Sequence, residues 1–93
     1  MPCQVDVDTA VKSDILDCDA EARRQIGDFL LLLQKNPLPE KRHPMSGASF
    51  YAPLPCGYFV SWEILGDVLA FALTGSTKGC MVRILGVGRK TPK

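Results

Sequence analysis

The sequence has almost no net charge. Eleven Lys and Arg stand against ten Asp and Glu, which gives +1 over 93 residues. A protein that neutralises many phosphates usually carries a clear basic excess, so any nucleic-acid role must rest on a local cluster. There is one histidine, His43, and none of the four cysteines forms a C-x-x-C pair. Structural zinc sites use close, paired ligands, so neither a metal nor another cofactor is expected. The cysteines read as free thiols of a reducing compartment, and two bridges are the alternative for an exported chain. Apolar runs such as "FLLLL" fall far short of the ~20 residues of a membrane span. The start, "MPCQVDVDTAVKSD", has neither the basic n-region nor the apolar h-region of a signal peptide. A cytoplasmic protein without membrane contact is the expectation.

What is present is ordinary globular composition, 46% apolar and 23% charged. The length predicts a single domain over residues 1–93 with one modest core. "QVDVD" alternates as a short strand, and the caps that follow predict a short helix or turn around 9–16. "DAEARRQIGDFLLLLQKN" is the clearest element. Asp19 is its N-cap candidate, and Ala22, Ile26, Phe29, Leu30 and Leu33 make one apolar stripe. Leu31 and Leu32 lie off that stripe and extend either a broad buried face or a ridge for a partner. Asn36-Pro37 stops the helix.

Residues 37–49, "PLPEKRHPMSGAS", read as a loop and hold the densest basic cluster, Lys41-Arg42-His43. In "FYAPLPCGYFVSWEI" the second half alternates. Tyr58, Val60, Trp62 and Ile64 share one face, and Phe59, Ser61 and Glu63 the other. Pro53 and Pro55 cannot donate to a ladder, which predicts an edge or bulged entry to this strand. "VLAFALTG" (68–75) alternates as a further strand, and "CMVRILGVG" as the last. There Val82 and Ile84 oppose Met81, Arg83 and Leu85. A pair of Glu63 with Arg83 across the sheet is the plain expectation for both residues. The order strand, helices, three antiparallel strands predicts an α+β fold. A small twisted antiparallel sheet is packed by one long and one short N-terminal helix.

Together with "LLLQKNPLP", "GYFVSWEI" and "VRILGVGRK", this order resembles the RelE/ParE toxin superfamily of bacterial type II toxin–antitoxin systems. The resemblance runs from about residue 15 to residue 90, in layout more than residue by residue. It implies a toxin silenced by a cognate antitoxin. RelE-like members cleave messenger RNA in the ribosomal A site, and ParE-like members inhibit DNA gyrase. RelE-type chemistry places cations on the phosphorane charge and supplies a proton donor and acceptor.

Laid on this chain, Glu63-Ile64 and Val87-Gly88 match the family pattern, and Arg89-Lys90 stand where His-Arg is usual. Phe59 falls where the family places its strand arginine. Ala52 and Leu54 fall where basic residues often line the same face, and Thr91-Pro92 replaces a segment that carries a catalytic tyrosine in some members. The candidate catalytic residues are therefore Arg89, Lys90, Arg83 and His43. Lys41 and Arg42 are the candidates for RNA contact, and Phe59, Leu31 and Leu32 for a partner. Three readings stay open: a ribosome-dependent endoribonuclease with an altered cation set, a toxin-fold module that binds a protein such as gyrase or an antitoxin, and an unrelated α+β domain. The partners in view are an antitoxin, the ribosome with its messenger, and a second copy of the chain.

Overall fold

Two aspartates start two helices. Asp8 Oδ1 accepts from the Val11 amide at 2.9 Å, and Asp19 Oδ1 from the Ala22 amide at 2.8 Å. Each satisfies a donor that a helix N-terminus leaves without a partner. In the computed structural model, which describes residues 3–66, 73 and 80–89, these caps open α1 (Thr9–Leu16) and α2 (Ala20–Lys35). Both match the sequence expectation. The stripe of α2 is also as expected, with Ala22, Ile26 and Leu33 buried and Phe29 and Leu30 half-buried against the core.

Five strands form one sheet: β1 (Gln4–Val7), β2 (His43–Pro44), β3 (Ser49–Pro53), β4 (Phe59–Leu65) and β5 (Met81–Gly88), in the order β1-β5-β4-β3-β2. The β2–β3, β3–β4 and β4–β5 pairs are antiparallel. β1 runs parallel to β5, so the α+β fold is as expected but the sheet is mixed. A parallel pair cannot be joined by a hairpin, and here nearly the whole chain separates the two strands.

Side-chain parity sorts the sheet into two faces. Val5, Val7, Phe50, Ala52, Val60, Trp62, Ile64, Val82 and Ile84 meet the helices. Trp62 is fully buried. Its ring packs edge-on to Phe29 at 5.4 Å, and its Nε1–H donates to the Pro37 carbonyl at 3.1 Å. One side chain thus ties α2, the chain leaving it and the middle strand together.

Two expectations need correction. The prolines of 50–57 do not lead into a single strand. They close a hairpin. Pro53 ends β3, and the Gly57 amide donates to the Leu54 carbonyl at 2.9 Å across a turn with Pro55 at its second position. Pro presets the φ that position needs, and Gly57 takes φ 94°, which only glycine adopts cheaply. The cysteines are not all free thiols either. Cys3 and Cys80 form a disulfide, while Cys18 and Cys56 are free. The strand expected over 68–75 lies outside the described residues except for Leu73, which is helical and exposed. Among the described residues no helix is long and apolar enough to cross a membrane.

Candidate functional site: the open face of the sheet

The face turned away from the helices is built from the alternate residues of each strand. Its first row is charged. Arg83 on β5 sits in register between Asp6 on β1 and Glu63 on β4. Its Nη1 lies 3.3 Å from Glu63 Oε1 and its Nε 3.9 Å from Asp6 Oδ2. The expected Glu63–Arg83 pair is therefore present, and Asp6 joins it from the far strand. One cation between two carboxylates gives this row a formal charge of −1.

The second row is aromatic. His43 on β2 is the register partner of Tyr51 on β3, and their rings stack with centroids 5.0 Å apart and planes 23° apart. Phe59 on β4 continues the row, 6.0 Å from the Tyr51 ring at 59°. Phe59 is half-buried on this face and not in the core, which agrees with the sequence parity. Beside it Ser61 donates to the Gly86 carbonyl at 3.3 Å.

A β-bulge adjoins the row. Ser61 pairs with Gly86 and Trp62 with Ile84, so Leu85 has no partner across the strand. Bulges aim a side chain outward and raise the local twist. Leu85 is accordingly 42% exposed.

The other candidates that are described do not join this face. The Arg89 guanidinium lies over the Tyr58 ring, 5.0 Å from its centroid. Tyr58 packs on the core side, and the neighbouring Tyr58 hydroxyl raises the Arg89 pKa, with Asp19 of the α2 cap contributing further. Arg42 Nη1 donates to the carbonyls of Leu38 (3.2 Å) and Pro39 (3.1 Å), and its guanidinium lies over Phe50. Lys90 is outside the described residues. Lys41 and Leu32 line a cleft of about 590 Å³ between α2 and residues 52–55, with Phe29, Pro39 and Leu54 among its apolar walls. Leu31 is 59% exposed on the same helix. Among the described residues no group of three His, Cys, Asp or Glu is placed to hold a metal ion.

Arg24 on the cleft's rim bridges Glu21 and Asp28. Its hydrogen bond, then that of Gln25, lowers the Glu21 pKa from 4.5 to about 2. A folded pKa below the unfolded one stabilises above the unfolded value and loses that contribution as pH falls through the folded value. Glu21 is fully exposed, so solvent screens the effect. Glu21→Gln is expected to flatten the thermal-stability profile modestly between pH 4.5 and about 2. An acid limb unchanged by the substitution contradicts this.

Sequence reasoning missed Tyr51 and Asp6. Tyr51 lies in β3, whose flanking prolines mask its strand pattern. Asp6 reaches Arg83 only through the parallel β1–β5 pairing, for which no local signal exists.

No family model and no curated protein matches the chain. Solved structures do. The isolated RelE toxin of E. coli superposes with a TM-score of 0.70 at 14% identity, covering 98% of this chain and 87% of that one. The RelBE2 toxin–antitoxin complex of Mycobacterium tuberculosis gives 0.69 at 18%, covering 97% and 100%. The archaeal RelE–RelB complex of Pyrococcus horikoshii gives 0.66 at 15%, covering 99% and 100%. At these identities the likeness is one of architecture, and it extends over nearly the full length. The chain has the fold of the RelE toxins.

Proposed function

We propose that the chain is the toxin of a toxin–antitoxin pair, which stops translation by cleaving messenger RNA at the ribosome and is silenced by a cognate antitoxin. The RelE fold over nearly the whole chain carries this reading. The matched proteins are toxins, and two of these structures hold the antitoxin as well. Cleavage by the RNA 2′-hydroxyl needs a proton acceptor, a donor, and cations on the developing phosphorane. On the open face His43 is the acceptor, the Tyr51 hydroxyl is a donor, and Arg83 is a cation. Arg89 joins the site only by leaving the Tyr58 ring.

A second reading is favoured by one observation. Arg83 is already held by two carboxylates, and Phe59 and Leu85 present apolar surface beside it. That surface suits a protein target better than a phosphodiester.

An in-vitro translation reaction with ribosomes and a defined messenger, read by primer extension, separates the two. Cuts at A-site codons that fall about 100-fold with His43→Ala support the nuclease, in line with the loss of a general base. Unimpaired translation without cuts removes it and leaves the binding module.

A further inference from the structure

The aromatic row is open-ended. β2 is the last strand in the sheet order, so among the described residues no strand lies beyond His43. Its ring is exposed on one side and stacked on Tyr51 at 5.0 Å on the other. A flat ring placed against the outer side of His43 extends the stacked His43–Tyr51 pair to three members, with Phe59 tilted against its inner end. The same face is poor in free charge. Its described charged residues are Asp6, Glu63 and Arg83, and the arginine is shared between the two carboxylates. Arg42 is committed to backbone carbonyls and to Phe50, and Lys41 lines the cleft against α2. A ligand drawn to this face therefore finds rings more readily than cations.

We infer that the open face binds an unpaired RNA base by stacking on the outer side of His43, supported by Tyr51 and Phe59, with phosphate charge contributing little. This rests on the reading of the chain as an RNA-directed toxin, and it assigns His43 a role separate from proton transfer. The face of the ring holds the base, and proton transfer belongs to the ring's edge. Base–aromatic stacking tolerates any base, because every base has a π-face, and so this site selects for single-strandedness and not for sequence.

The test uses the full chain and a fluorescein-labelled single-stranded RNA of about ten nucleotides, read by anisotropy, with thermal melts to confirm folding. His43→Ala weakens binding about 10-fold, as loss of one stacked base does. His43→Phe keeps the ring and binds within about 2-fold of wild type, and so does Tyr51→Phe. Between about 50 and 200 mM salt the log–log slope stays near ~0.7 or shallower, the value for a single phosphate on a single strand.

Three results overturn the inference. They are His43→Phe binding as weakly as His43→Ala, a slope of several phosphates, and no binding by the wild-type chain. The last hands the face to a protein partner. The nuclease reading fails independently of this one. His43→Phe that binds RNA but makes no cuts supports both roles, whereas wild type that binds RNA without cutting at the ribosome removes the chemistry and keeps the stacking site.

Discussion

Replacing Cys3 by serine is expected to lower the unfolding free energy by about 4.5 kcal/mol. The Cys3–Cys80 bond closes a loop with a sequence separation of 77, so breaking it restores nearly the full conformational freedom of the unfolded chain. Native contacts add a second reason. The Cys3 amide donates to the Gln34 carbonyl at 2.8 Å, and the Gln4 amide to the Cys80 carbonyl at 3.1 Å, so the bond sits where β1, β5 and the end of α2 meet. For a domain of this size such a loss lowers Tm by about 20 °C or more. Circular dichroism melts of wild type with and without dithiothreitol, beside Cys3→Ser, measure it. A reductant that leaves Tm unchanged contradicts the expectation. So does a serine variant as stable as wild type.

Trp62→Ala is expected to cost about 4 kcal/mol, a large share of the total stability of a domain this small. The indole is fully buried between Phe29 and Phe50, and its removal leaves a void that three separate elements line. Trp62→Phe divides the effect. Most of the apolar volume remains, but the Pro37 carbonyl loses its donor while Pro37 is itself buried. An unpaired buried carbonyl costs about 1–3 kcal/mol, so the phenylalanine variant falls between wild type and alanine. Urea unfolding of the three proteins checks the order. Equal midpoints for Trp62→Phe and wild type show that the hydrogen bond contributes nothing net.

The parts of this fold legible in the sequence are those set by local chemistry. Asp19, the stripe Ala22–Ile26–Leu33 and Asn36-Pro37 specify α2 without reference to the rest of the chain. The alternation of Val60, Trp62 and Ile64 fixes which face of β4 is buried, and so it also places Phe59 on the open side. The Glu63–Arg83 pair follows from two neighbouring antiparallel strands. What escaped was long-range or disguised. Pro53 and Pro55 suppress the strand signal of β3, although one of them ends the strand and the other makes its turn. The parallel β1–β5 register, and with it the disulfide and the Asp6 contact, joins residues that no sequence window contains together. Arg89 follows a motif that resembles the family's, but alternation past Gly88 turns it to Tyr58 on the packed side. Spacing alone placed it at the right end of the strand without fixing its face.

The parallel edge pair also sets the order in which the molecule can be made. β1 is made well before β5, its one neighbour among the described strands, with Gln4 opposite Met81 and Val7 opposite Ile84. The β2–β3–β4 hairpins and the two helices have all their local partners earlier. During synthesis β1 must wait with one apolar face uncovered, and the charged row of Asp6, Arg83 and Glu63 does not exist until β5 has been made. Of the open face, the aromatic row on β2, β3 and β4 can therefore assemble first, and the charged row is completed only when β5 joins β4 and β1.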